Sequence, residues 1–229
     1  MERPNDDRPT LDEPLDEVGV RVLGCLIEKE LTTPDSYPLT LNALTAACNQ
    51  TSSRDPIMEV DEATVSRSLE DLVARSLARG VRRDDARVKR YRQEIGERLH
   101  LHRPELAVLS VLMLRGAQTA GEIKTRTARA FEFVDPSHVE ITLDSLEALG
   151  TPLVTKLPRR PGQKEMRYAH LLAGGPPTMH VRDDGPRREA PRHPGPSDRM
   201  DELERGLDSL RAEVAALRAE VDALRGQLE

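Results

Sequence analysis

The chain has 229 residues, enough for two small domains, and with no Trp, two Phe and three Tyr its cores have to be built from Leu, Val and Ala. A formal net charge of -6 argues against a strongly basic nucleic-acid binder, whose affinity comes largely from displacing counterions from phosphates, although local clusters matter more than the sum. The N-terminus has no apolar run behind a basic start and no stretch approaches the apolar length of a membrane span, so a soluble, cytoplasmic protein without a membrane partner is expected.

Residues 1–14 carry five acids against two bases and contain proline, which reads as a disordered arm. A first domain is expected over 15–98. Its first helix runs from about Asp16 to Leu31, with Val18, Val22, Leu23, Leu26 and Ile27 on one side, and a second begins near Thr40 with Leu41, Leu44 and Cys48. The connection Asn49 to Val60 is longer than the turn of a simple helix-turn-helix. Asp61 suits the N-cap of a third helix carrying Val65, Leu69, Leu72 and Val73. Two strands follow, Leu77 to Arg82 and Val88 to Glu94, joined by a loop at 83–87.

The string Val65-Ser66-Arg67-Ser68-Leu69-Glu70-Asp71-Leu72 is matched 74 residues later by Val139-Glu140-Ile141-Thr142-Leu143-Asp144-Ser145-Leu146. Each places apolar residues at i, i+4 and i+7 and runs on into β-rich sequence ending in Arg-Tyr. A second domain is therefore expected over 99–173. Pro104 opens a helix with Leu106, Leu109, Leu112 and Met113 inside and Gly116 at its end. Thr119 and Glu122 form a capping box, and Asp135-Pro136 start the helix of Val139, Leu143 and Leu146. A hairpin pairs Leu153–Leu157 with Glu165–Leu171. Two helices, a third helix and a hairpin, taken twice, predict tandem winged helix-turn-helix domains, a mainly α fold with small β wings.

Residues 174–197 hold six prolines and four glycines and read as a linker. Beyond them, Met200, Leu203, Leu207, Leu210, Val214, Leu217, Val221, Leu224 and Leu228 alternate steps of three and four, a coiled coil over 198–229. Val at central a positions with Leu at every d predicts a parallel homodimer.

Two strings carry a resemblance. Arg21-Val22-Leu23-Gly24-Cys25-Leu26-Ile27-Glu28-Lys29, followed by Thr33-Pro34, Tyr37-Pro38-Leu39, Asn42, Ala47-Cys48-Asn49-Gln50, Arg54 and Pro56, resembles the bacterial YceH family, as does Leu114-Arg115-Gly116-Ala117-Gln118-Thr119 with Gly121-Glu122. The resemblance covers about Leu15 to Leu172. It implies the tandem winged-helix architecture and, in a family of unassigned function, no chemistry, while singling out the connection after the second helix.

For function, Thr64, Arg67, Ser68, Asp71 and Arg75 are expected to point outward from the third helix. There Thr64, Arg67, Ser68 and Arg75 can enter a major groove, or Arg67 and Asp71 can pair as i,i+4 neighbours on a solvated face. Glu140 and Asp144 on the matching helix would repel phosphate and better suit a protein partner. Arg159, Arg160 and Lys164, in the loop of the second hairpin, can hold phosphates, or simply keep an exposed hairpin in solution. Asn49, Gln50 and Arg54 can contact DNA or a partner, or cap the second helix and bridge the connection internally.

Cys25 and Cys48 lie in apolar pattern and read as core thiols, and no CxxC or Cys/His ligand spacing exists. His100 and His102 have no carboxylate or thiol at ligand spacing, and no nucleophile motif, Walker loop or dinucleotide fingerprint is present. No enzyme, cofactor or metal is expected. The leading expectation is a dimeric transcriptional regulator binding double-stranded DNA. The alternative is a protein-interaction adaptor that does not bind DNA.

Overall fold

Helix α1 (Glu17–Thr32) starts where the Asp16 carboxylate accepts the Gly19 N–H at 2.6 Å, satisfying one of the amides that a helix start leaves without a partner. Every residue from Gly19 to Ile27 is buried, as is Leu31. A helix buried all round needs neighbours on several sides. The computed structural model, which describes residues 13–81, 88–159 and 165–175, provides them as seven α-helices and two small antiparallel sheets among those residues.

The order after α1 is strand β1 (Leu39–Thr40), α2 (Leu41–Cys48), α3 (Glu62–Ala74), β2 (Ala78–Val81) and β3 (Arg90–Gln93). Thr40 caps α2 by accepting from Ala43 at 3.2 Å, and Asp61 caps α3 by accepting from Thr64 at 2.7 Å. The sheet order is β1-β3-β2, with Leu39 opposite Tyr91 and Gly80 opposite Tyr91 on the other side. A short helix α4 (Ile95–Arg98) leads to α5 (Arg103–Arg115). Gly116 ends α5 at φ 70°, a left-handed conformation in which only glycine escapes a Cβ clash.

The layout then returns. Helix α6 (Ala120–Thr127) carries the expected capping box, with Thr119 accepting from Glu122 N at 3.2 Å and Glu122 accepting from Thr119 N at 2.9 Å. Helix α7 (Pro136–Glu147) is capped by Asp135, which accepts from His138 at 2.9 Å. Strands β4 (Val154–Leu157) and β5 (Arg167–His170) pair antiparallel. Gln118, just before α6, exchanges both backbone hydrogen bonds with Tyr168, at 3.0 and 2.8 Å. That bridge occupies the place of β1 against β3, so both copies of the repeat build the same three-part edge.

One hydrophobic core runs through both halves, from Leu15 to Leu172. Its centre is the packing of α1 on α5. Gly24 permits the approach: a Cβ there would meet Leu114 at 3.1 Å and Met113 at 3.2 Å. Small residues at a crossing let two helices come close, and the side chains around them gain the dispersion contacts that a gap would lose.

Several expected features lie outside the described residues: the tip of the first hairpin at 83–87, Arg160 and Lys164, the linker beyond Gly175, and the coiled coil over 198–229. Among the described residues, no helix is long and apolar enough to cross a membrane.

His170, opposite Val154 in the second sheet, is buried, and its Nδ1 has no partner among the described residues. Burial lowers its pKa from 6.5 to about 4. The unfolded chain therefore takes up a proton that the folded chain refuses, and the stability present above pH 6.5 is progressively lost as pH falls toward 4. The expected loss is about 1.4 kcal/mol per pH unit in that window, roughly 3 kcal/mol in all. Urea titrations of the wild type and His170→Leu should diverge by this slope below pH 6.5; parallel acid dependence in the two proteins would show that His170 does not resist protonation.

Candidate functional site

The connection from Asn49 to Val60 is fixed chiefly by two guanidinium groups, that of Arg21, which reaches it from α1, and that of Arg54, which turns inward from the connection itself. Arg54 folds inward until its side chain has no exposure. Its Nη1 and Nη2 donate to both carboxylate oxygens of Glu28, at 3.0 and 2.7 Å, and its Nε donates to the Ala47 carbonyl at 3.1 Å. The remaining contacts are Gln50 Oε1 at 3.0 Å, the Ser53 carbonyl at 2.9 Å and the Cys25 sulfur at 3.5 Å. A planar fork of five N–H donors is the one side chain able to satisfy so many acceptors at once.

Arg21, one turn before Cys25 on α1, is also buried and donates to the Cys48 carbonyl at 3.2 Å and the Pro56 carbonyl at 2.5 Å. Asn49 closes the connection from the other end. Its Nδ2 donates to the Val60 carbonyl at 2.8 Å and its Oδ1 accepts from Val60 N at 2.9 Å. The middle is tied to α5 by the Asp55 N–H on the Leu114 carbonyl at 2.8 Å, and by Arg115, which donates to the Ser53 hydroxyl. Gln50 Oε1 further accepts from Lys29 at 3.3 Å.

Charge in this cluster is balanced by contact. Burial acts to raise the Glu28 carboxyl, but the Arg54 hydrogen bonds overcome it and hold Glu28 below the usual carboxylate range. Burial likewise raises the Cys25 thiol, and is outweighed by a hydrogen bond from Cys48 and by the Arg54 charge, so that Cys25 ends below an ordinary thiol. Cys48, as the donor to Cys25, is pushed up, with burial acting in the same direction. Both cysteines are core thiols, as expected. Of the alternatives for Asn49, Gln50 and Arg54, the internal one describes these contacts. Arg21 and Glu28 are additions that sequence reading missed, although an arginine inside the apolar string Arg21 to Ile27 was the available signal.

On α3 two expectations need correction. Ser68 is buried, not outward: a Cβ on Gly19 would stand 3.5 Å from its hydroxyl. The buried stripe includes i+3 as well as i, i+4 and i+7, so Ser68 joins Val65, Leu69 and Leu72, and Thr142 joins Val139, Leu143 and Leu146. Nor does Asp71 pair with Arg67. It pairs at 2.9 Å with Arg75, whose guanidinium also donates to the Glu13 and Pro14 carbonyls, each at 3.1 Å. Arg75 therefore clamps the entry to α1. Arg67 stays exposed and donates to Thr64 Oγ1 at 3.0 Å.

The remaining outward face of α3 carries Glu62, Glu70 and Asp71. On α7, Glu140 and Asp144 are exposed as expected, and with them Ile141, at 67% exposure, and Val134 just before the helix, at 79%. Lys156 is held by Asp144 at 2.9 Å, while Arg159 is exposed. His100 and His102 sit between α4 and α5, where the His102 N–H donates to Glu105 at 2.8 Å.

Residues 15–163 match the family model described as protein of unknown function, DUF480. A "UPF0502 protein" of Geotalea uraniireducens is 56% identical over 162 residues, 71% of this chain and 74% of that protein. One of Citrifermentans bemidjiense is 48% identical over 207 residues, covering 87% and 91%, and one of Pelobacter propionicus 48% over 219 residues, covering 94% and 98%.

Removing Arg54 would leave the partly buried Glu28 carboxylate with Lys29, 3.2 Å away, as its remaining counter-charge, so the cost is expected near the lower end of the roughly 3–5 kcal/mol typical of a broken buried pair. Arg54→Ala should lower the unfolding free energy by about 3 kcal/mol or more, and adding Glu28→Gln should restore part of it. A double-mutant cycle read by urea titration with far-UV circular dichroism checks this; additive single effects would mean that the pair is not coupled.

Proposed function

This chain belongs to the DUF480 family, and we propose that it is a non-catalytic protein-interaction adaptor whose two halves are winged-helix units. Support for the winged-helix reading is the order of three helices and an antiparallel hairpin, present twice, with a short strand or bridge before the second helix pairing with the returning strand. In such units the third helix is the element offered to a partner.

The observation that carries the adaptor reading is the outward surface of α7. Ile141 and Val134 present apolar side chains to solvent, with Glu140 next to Ile141 and the Asp144–Lys156 pair on the same helix face. Large apolar groups in an acidic surround fit a protein segment with an apolar face and basic flanks, and repel a phosphate backbone. Helix α3 agrees: with Asp71 and Arg75 paired to each other, Glu62 and Glu70 face outward against one exposed arginine, Arg67.

A second reading, a transcriptional regulator on double-stranded DNA, is favoured by Arg67 itself, exposed next to Thr64, and by the exposed Arg159. In it Arg67 reads bases, and Arg159 with Arg160 and Lys164 holds phosphates. Both readings use a homodimer joined through the parallel coiled coil expected over 198–229, and both place the protein in the cytoplasm.

A photo-crosslinking residue at Val134 of the intact protein in its own cells should trap a discrete protein, and adding Ile141→Glu should abolish the adduct while leaving the circular dichroism unchanged. Salt-sensitive binding of duplex DNA by the intact chain, weakened by Arg67→Ala and Arg159→Ala, would instead establish the DNA reading. Truncation before Asp198, or Leu210→Lys, should give monomers by light scattering at concentrations where the intact chain dimerises; a dimer that survives truncation would move the interface elsewhere.

A further inference from the structure

A groove of about 400 Å³ lies between α7 and the hairpin of β4 and β5, with the start of α6 as its back wall. Glu140 and Asp144 line it from α7, and Lys156 and Glu165 from the hairpin. Gly121 keeps the back wall open, since a Cβ there would meet only the Thr119 hydroxyl, at 3.9 Å. Tyr168, on β5, also lines the groove and is only 4% exposed. Both of its backbone hydrogen bonds go to Gln118, so the ring is held in place. Its hydroxyl, however, has no hydrogen-bond partner among the described residues. A buried phenol ordinarily finds a partner for its O–H, and here the groove is where one can enter.

The charges around that hydroxyl do not cancel. Lys156 is taken up by Asp144 at 2.9 Å, with its Nζ 5.8 Å from the centre of the Tyr168 ring. Glu140 and Glu165 are exposed and form no ion pair among the described residues. Arg159, past the end of β4, is the other cation that lines the groove. Two carboxylates therefore stand against one guanidinium. The phenol feels the excess: burial, foremost, and the charges of Glu140, Asp144 and Glu147 hold it above an ordinary tyrosine, against the opposing charge of Lys156. Tyr168 thus keeps its proton, and its oxygen remains able to accept an N–H.

We propose that this groove takes an arginine side chain from a partner protein, seated at Tyr168 between Glu140 and Glu165. The guanidinium donates to both carboxylates and to the phenol oxygen, a set of acceptors that a planar fork of five N–H groups can meet at once. Lysine, with its three donors on one nitrogen, fits the set less well. Ile141, exposed on α7 next to Glu140, gives a neighbouring apolar side chain of the same segment its place. The assignment rests on the adaptor reading and narrows the partner to a segment that carries an arginine close to a large apolar residue.

The test uses the intact chain with ring-labelled tyrosine, read by carbon NMR and titrated with the blocked tripeptide acetyl-Leu-Ala-Arg-amide. The control peptide carries citrulline, which keeps the shape of arginine and lacks its charge. Of the three tyrosines, Tyr168 should shift with the arginine peptide and stay in place with the control, while Tyr37 and Tyr91 should not respond to either. Glu140→Gln and Glu165→Gln should each weaken binding by about 3-fold, as expected for the loss of one exposed ion pair. A Tyr168 signal that does not move, equal shifts with both peptides, an affinity untouched by either substitution, or a shift produced by inorganic phosphate and abolished by Arg159→Ala would each overturn the proposal. A crosslink at Val134 that is undiminished by Glu140→Gln together with Glu165→Gln would leave the adaptor reading in place and overturn the groove. Absence of any crosslink at Val134, with the arginine peptide still seated at Tyr168, would uphold the groove and overturn the adaptor reading.

Discussion

The pairing of Arg54 with Glu28 is the constraint on which the first half of the protein depends. Between α2 and α3 the chain has to cover the end of α2 and reach Val60, which packs on the core, and the stretch before it needs an anchor. A single buried guanidinium supplies that anchor by satisfying a carboxylate, two carbonyls, an amide oxygen and a sulfur. Such a group is costly to desolvate and is tolerated only when its donors are met, so the connection is held in the one arrangement that meets them. Where α3 begins, and hence which of its residues face outward, follows from that arrangement.

The second half reaches the same layout with other means. Its connection between α6 and α7 holds Phe131 and Phe133, whose rings pack edge to face at 4.7 Å between centroids, and Phe133 meets His138 at 5.3 Å. The polar centre of this half is Gln118, which donates to the Val111 and Gly116 carbonyls and accepts from Arg126. A repeated backbone plan is thus filled by a charged hub in one copy and an aromatic cluster with an amide in the other. The likeness of the two copies lies in caps and strand partners more than in core chemistry.

Those caps and apolar steps are what made the architecture legible from sequence. Asp61, Thr119 and Asp135 each cap the helix assigned to them, Gly116 ends α5, and the paired helices with their hairpins stand where the spacing put them. Local rules govern these features, since a cap or a turn is decided within a few residues. Ser68 was misplaced because a hydroxyl in a buried stripe is read as polar before it is read as i+3. The network at Arg54 was less legible still. Its partners are separated by 26 residues or more for Glu28 and Cys25, and only the folded chain says which polar residues meet across such distances. What sequence did reveal was the internal alternative for Asn49, Gln50 and Arg54, from the habit of these side chains to serve helix ends and turns.

Gly24 has a consequence for how the two halves share their stability. With the side chain absent at the crossing, α5 lies against the backbone of α1, and neither helix can withdraw without opening the core of both halves at once. Duplicated units joined by a flexible tether can lose one member and keep the other. Here the copies are melded through their first helices, so their unfolding is expected to be coupled into a single cooperative step, one foldon assembled from two repeats.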